Sequence, residues 1–222
     1  MNLNSGEIGD EPSGGQDLRG KRMISRRAMV LGLAALPPVL ALPARLAAEP
    51  AEAAGKLVEA ARAQIGVTLF YDGAYRRLPY PGGDVEPERG VCTDVVVRAY
   101  RAALGADLQR LVHEDMAANF SAYPANWGLT RPDRNIDHRR VPNLATFFRR
   151  QGAALAEGEA LAPGDLVTQT IGGRLPHISV VSDKRVRGTA RHYVIHNIGG
   201  GAEYADILTR FPVTGRFRYR PV

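Results

Sequence analysis

The sequence predicts an α+β domain in which helices come first and an antiparallel sheet follows. Two patterns carry that expectation. Apolar residues recur at helical spacing through residues 51–151, and after residue 165 the runs turn short and β-branched, bounded by Pro-Gly, Gly-Gly and Gly-Thr. Composition agrees: 24 Gly and 15 Pro in 222 residues are too many turn formers for a helical bundle, and 45% hydrophobic with 23% charged residues is ordinary for a globular chain. Disorder, coiled coil and collagen are thereby excluded as descriptions of the domain.

Taken in order, residues 51–65 are rich in Ala, Leu, Lys and Glu, with Leu57, Ala61 and Ile65 on one face and Gly66 as a stop, which predicts a first helix. Residues 67–90 carry Phe70, Tyr71, Tyr75 and Tyr80 among Gly and Pro and are read as an aromatic loop. Val91 to Leu104 returns to helical spacing and is closed by Gly105. Two more helices are expected at residues 108–120 and 143–151, separated by a Pro-, Asn- and Asp-rich connection around Trp127. Strands are expected at 165–171, 177–183, 193–198 and 216–219. There are no internal repeats, and residues 49–222 are read as one domain.

The first 48 residues read as an address. A polar, Gly-rich leader gives way to Lys21, Arg22, Arg26 and Arg27, followed by an almost uncharged stretch at 28–44 that is too short and too Pro-broken for a comfortable membrane span. Paired arginines in Ser25-Arg26-Arg27-Ala28-Met29 resemble a twin-arginine export signal, with cleavage expected between about Ala44 and Ala54. An uncleaved N-terminal anchor is the alternative, and both place the domain outside the cytoplasm, in the periplasm for a bacterial chain.

The formal charge is +6, and the first 48 residues hold six basic and four acidic side chains. Removing them from 29 and 23 leaves 23 basic and 19 acidic, a mild net +4. No run of five basic residues and no ladder of basic and aromatic residues is present, so a nucleic-acid partner is not expected. A single cysteine, Cys92, rules out an internal disulfide and a four-cysteine zinc site.

Cys92 sits between a Gly-containing loop and the start of a helix. Unpaired amides and the dipole at that end favour an anion, so a thiolate there would be stabilised; the plain alternative is a small packed hydrophobe. Two histidines weigh against packing alone. If 177–183 and 190–196 form a hairpin in which 177 pairs with 196 and 183 with 190, His177 and His196 leave one face about 5 Å apart. A thiol facing one imidazole that a second polar group orients is the constellation of a thiolate nucleophile. A one-residue slip would turn His196 away.

These residues carry a resemblance. The helix-starting cysteine after an aromatic loop, Pro163-Gly164-Asp165-Leu166-Val167, His177-Ile178-Ser179-Val180-Val181 and Val194-Ile195-His196 resemble the NlpC-type branch of papain-fold cysteine peptidases. Gly90-Val91-Cys92-Thr93-Asp94-Val95-Val96, Leu111-Val112-His113-Glu114-Asp115-Met116, Asn135-Ile136-Asp137-His138-Arg139-Arg140-Val141-Pro142-Asn143-Leu144 and Ile195-His196-Asn197-Ile198-Gly199 more closely resemble the bacterial domain-of-unknown-function family 1287, from about Ala53 to the C-terminus. The NlpC resemblance implies a papain-like fold with N-terminal helices on a C-terminal antiparallel sheet, Cys92 as nucleophile, His177 as base and His196 as the orienting third member. NlpC-type enzymes usually read Asp-Cys-Ser-Gly at the nucleophile, where this chain reads Val91-Cys92-Thr93-Asp94. It further implies an exported hydrolase of an amide bond, acting as a monomer on cell-envelope peptides of the peptidoglycan type. An acyltransferase or esterase on the same fold, and a non-catalytic envelope-binding domain, are the competing readings.

Tyr71, Tyr80 and Asp94 are candidate substrate contacts, the tyrosines also as oxyanion donors or as ordinary aromatic packing. His113, Glu114 and Asp115, and Asp133, Asp137 and His138, match no standard zinc or calcium spacing and read as scaffold, so no metal is expected. Asp165 reads as a turn residue, His192 as surface, and Gly199-Gly200-Gly201 as a turn without the strand-to-helix setting of a phosphate loop, so no cofactor is expected.

Overall fold

The apolar stripe of the first helix and the β-branched runs of the last third need each other, because either one alone would leave its apolar face in water. In the computed structural model, which describes residues 44–221, with side chains from residue 51, they meet as two layers. Helix α1 (Ala44–Arg62) and helix α2 (Cys92–Leu104) pack together and against the sheet through Leu57, Ala61, Val95, Val96 and Ala99, all at most 1% exposed. Helix α1 begins seven residues earlier than expected and ends three earlier, the chain then leaving through turns to Gly66, whose φ of +81° is glycine's to adopt. Helix α2 ends as expected at Gly105 (φ +63°), whose N–H returns to the Arg101 carbonyl while the Ala106 N–H returns to that of Tyr100.

Helix α3 (Leu108–Ala118) starts from Asp107, whose carboxylate accepts from the Gln109 N–H at 3.3 Å. Two short 3₁₀ turns, Phe120–Ala122 and Asp137–Arg139, bracket the connection around Trp127. Helix α4 (Val141–Arg150) begins two residues before its expected start because Pro142 fits a first helical turn, where no N–H is needed. Its Phe147 and Phe148 join Tyr100, Phe217 and Tyr219 in an aromatic cluster with ring centroids 5.3–6.2 Å apart.

Two-residue strands β1 (Phe70–Tyr71) and β2 (Arg89–Gly90) pair in parallel inside the aromatic loop. Strands β3 (Leu166–Ile171), β4 (Leu175–Arg185), β5 (His192–Asn197), β6 (Ala202–Ala205) and β7 (Val213–Phe217) form an antiparallel sheet in the order β6-β5-β4-β3-β7. Strands β1, β2 and β6 were not expected; two to four residues are too few to show a period. The Gly199–Gly201 segment is the turn between β5 and β6.

The hairpin register differs from the expected one. Val180 pairs with Ile195 and Val181 with Val194, an offset of two residues, and an irregularity between Val181 and Arg185 shifts it again so that Arg185 meets His192. An offset of two preserves the face, since side chains alternate with period two, so His177 and His196 stay on one side as diagonal neighbours rather than a direct pair. His192, expected at the surface, is buried at 6% exposure. Asp165 is more than a turn residue: wholly buried, it accepts from the Ala162 N–H and from the Arg218 guanidinium.

No described helix is long and apolar enough to cross a membrane. The leader and export signal read over residues 1–48 lie, apart from the start of α1, outside the described residues.

Candidate functional site

Cys92 is the first residue of α2, and what holds that end is a carboxylate three positions into the helix. Val91 at the N-cap has no side-chain oxygen, so Asp94 Oδ2 accepts from the Val91 N–H at 2.7 Å, half of a capping box. The charge of Asp94 is met by Arg139 from the 3₁₀ turn, with Nε and Nη2 on its oxygens at 2.9–3.3 Å. The same guanidinium donates to the Asp72 and Ala74 carbonyls, tying the aromatic loop to the cysteine helix. Arg98, one helical face further on, gathers the Val85, Glu86, Pro87 and Arg89 carbonyls and the Asp84 carboxylate, which shapes the loop leading to Cys92. Asn197, at the end of β5, donates to the Gly90 carbonyl at 3.0 Å and so fastens the histidine strand to the residue before the N-cap.

The thiol itself is 3% exposed. Burial pushes it up to about 11; amides of Ile178, Thr93 and Cys92 pull the other way, and the Asp94 charge adds to the rise. The helix N-terminus therefore does not yield the thiolate the sequence suggested, because desolvation of an anion outweighs a few aligned amides. The Tyr71 hydroxyl lies against the sulfur, and burial, then the Cys92 and Asp94 charges, raise its phenol to about 12.

His177 and His196 meet: Nε2 of the first and Nδ1 of the second are 2.8 Å apart, their rings nearly perpendicular at 80°. Both are buried, at 3% and 1% exposure, and burial holds them neutral, His177 down to about 3 and His196 to about 4. One proton therefore lies between the two nitrogens. His196 Nε2 has no hydrogen-bond partner among the described residues; it points to Glu203 Oε1, 3.8 Å away on β6, where Glu203 is its cross-strand pair. A carboxylate there favours the tautomer with a proton on His196 Nε2, which makes His196 Nδ1 the acceptor, His177 Nε2 the donor and His177 Nδ1 a free lone pair.

Among the described residues no hydrogen bond joins the Cys92 sulfur to the His177 ring. Alternation along β4 explains it: Ile178, whose amide meets the sulfur, packs in the same apolar cluster as Cys92, so His177 leaves from the opposite face.

Cys92 opens onto a cleft of about 420 Å³. Its mouth carries Tyr71, Tyr75 and Trp127, 47%, 57% and 40% exposed, and Pro176 and Arg140 complete the wall beside the thiol. Of the candidate contacts, Tyr71 is in this cleft; Tyr80 is not, packing edge-on to His113 at 5.2 Å under Arg134. Asp94 is buried behind Cys92 with its oxygens occupied by Arg139 and Val91, so it braces the site instead of facing a ligand. Asp115 pairs with Arg150 and Tyr123. Asp137 and His138 are buried in the 3₁₀ turn, where burial lifts the Asp137 carboxyl to about 6 and lowers His138 to about 4. Among the described residues no three of His, Cys, Asp and Glu converge on a point that could hold a metal ion. Sequence reasoning passed over Trp127, Arg140 and Asn197; the stretch 135–144 had signalled only a resemblance, and no spacing rule brings these three to Cys92.

The comparisons agree with this description without extending it to chemistry. The chain is 53% identical over 167 residues to "Uncharacterized protein YijF" of Escherichia coli (strain K12), an alignment covering 73% of this chain and 80% of that one. The model of the domain of unknown function DUF1287 matches residues 58–219, which takes in the cysteine helix, the Arg139 turn and the whole five-stranded sheet. The chain belongs to the DUF1287 family.

Proposed function

We propose that the protein is an exported cysteine hydrolase of papain-like, NlpC-type fold that cleaves an amide bond, with peptidoglycan stem peptides as its substrate class. The observation that carries this reading is the chain's single thiol, set at the first residue of α2 and lining an open cleft, with the His177–His196 pair, bonded at 2.8 Å and with one imidazole nitrogen to spare, as its candidate base. Because thiol and imidazole are both neutral, the base acts during attack instead of beforehand. His177 Nδ1 is assigned the Cys92 proton as sulfur adds to the carbonyl carbon, which requires residue 177 of β4 to turn toward the sulfur when substrate binds, because in the free protein its side chain leaves the other face of the strand. The Tyr71 hydroxyl and backbone amides at the start of α2 hold the oxyanion. Collapse breaks the C–N bond, the amine leaves with the proton from His177, and water hydrolyses the thioester by the same route.

Purified protein incubated with stem peptides is expected to release a free amine detectable by mass spectrometry, and Cys92→Ser to lower that rate at least about a thousandfold while unfolding within about 1 kcal/mol of wild type. Full turnover by the serine variant would remove Cys92 from the mechanism. Export is expected to need Arg26 and Arg27 together: replacing both with lysine strands the precursor in the cytoplasm, whereas normal periplasmic accumulation would point to the general secretory route.

One observation favours the non-catalytic envelope-binding domain: a thiol 3% exposed and raised to about 11 is what a packing cysteine looks like. On that reading Cys92→Ser leaves binding to envelope peptides intact and wild type releases no amine.

A further inference from the structure

Arg139 and Arg140 stand next to each other in sequence and face opposite tasks. Arg139 has its donors committed to Asp94, Asp72 and Ala74. Arg140 makes no side-chain hydrogen bond among the described residues, and its Nη1 is buried without a partner. Its guanidinium lies 4.1 Å from the centre of the Trp127 ring, and both line the cleft that holds Cys92. No carboxylate lines that cleft among the described residues. An arginine stacked on an aromatic face keeps its planar edge free, and that edge matches a carboxylate with two parallel N–H···O bonds.

Two acids lie near enough to compete. Asp137 Oδ1 is 3.7 Å from Arg140 Nη1, beyond hydrogen-bond length, and it too is buried with no hydrogen-bond partner among the described residues. Asp133 spends its oxygens on the Tyr75 hydroxyl and on Asn135.

We propose that Arg140, braced by Trp127, is the anchor for a free carboxylate on the ligand of this cleft, so that the amide presented to Cys92 belongs to an acidic peptide. As a statement about substrate this rests on the hydrolase reading; as a statement about binding it does not.

Trp127 is the only tryptophan in the chain, so its fluorescence reports the site directly. Protein carrying Cys92→Ala, which cannot turn over, is titrated with glutarate and, separately, with glutaramide at constant ionic strength. Glutarate is expected to give a saturable change in the low millimolar range, glutaramide none. Arg140→Gln should weaken glutarate binding at least about tenfold, and Arg140→Lys, which keeps the charge but loses the fork, by a few-fold. Asp137→Asn should leave binding unchanged or tighten it, because it removes the competitor. An equal response to glutaramide, no saturable response to glutarate, or unchanged titrations in both Arg140 variants would overturn the proposal, as would loss of binding in Asp137→Asn. Failure of amide cleavage by wild type would leave this titration untouched, and failure of the titration would leave the Cys92 test untouched.

Discussion

Two buried polar clusters stand out, one behind Cys92 and one on the sheet, and they are built to different standards. Behind it, Asp94 and Arg139 are 3% and 6% exposed, and their hydrogen bonds are shared among each other, the Val91 N–H and two loop carbonyls. On the sheet, His177 and His196 share one bond, and His196 Nε2 has no hydrogen-bond partner among the described residues. A satisfied buried ion pair is scaffold: it fixes the helix end, the aromatic loop and the 3₁₀ turn in one geometry. A buried pair of neutral bases with capacity left over is costly as scaffold and useful as chemistry.

The widest gap between the two clusters should show in stability. Arg139→Met strands the Asp94 charge beneath the cysteine and is expected to cost about 3–5 kcal/mol in denaturant unfolding, with the double variant Arg139→Met, Asp94→Asn recovering a large part. A single-variant cost under about 1 kcal/mol would mean that this pair is no brace.

Thiol chemistry sharpens the comparison from the other side. At pH 7 a thiol raised to about 11 holds a far smaller thiolate fraction than a free cysteine near 8.5, so iodoacetamide should modify Cys92 more than about a hundredfold slower than the same group in unfolded chain. Labelling within about tenfold of the unfolded rate would show the thiol to be activated in the free protein.

The remaining test concerns acid. His138, His177 and His196 are lowered from 6.5 to about 4, 3 and 4, so the unfolded chain binds protons first as pH falls. Their contribution to stability is complete above 6.5 and is lost progressively as pH drops through that value toward 3 to 4. Asp137, raised from 3.8 to about 6, acts with the opposite sign: its contribution is present below 3.8 and fades as pH rises through 6. With three groups against one, the thermal midpoint should fall between pH 6.5 and 4, and His177→Gln should flatten that fall; an unchanged slope would mean that His177 is not held neutral by the fold.

The order of helices then strands, the helix from Cys92 to Leu104 with its Gly105 stop, and the shared face of His177 and His196 were all legible in the amino-acid sequence. Each follows from a local rule: period 3.6, period 2, or a glycine that takes positive φ. The sheet face survived even a two-residue error in register, because parity is a property of the strand while pairing is a property of the turn and of the irregularity after Val181. The two-residue strands β1 and β2 and the four-residue strand β6 left no periodic trace and were decided by their partners.

Electrostatics lay furthest from the sequence. A helix start favours a thiolate by a local argument, but the pKa of Cys92 answers to how completely α2 and β4 exclude water around it, a sum over residues far apart in the chain. Asp94 looked like a ligand contact two positions beyond the cysteine and became a brace because Arg139, 45 residues on, arrives from another element to take its charge. Arg140, one residue further, faces the cleft beside Trp127 with no side-chain hydrogen bond among the described residues. The chain itself determines which residue types lie on each face of each element; which of them are spent on one another, and which are left over for a ligand, is decided only when distant elements close on the same few ångströms.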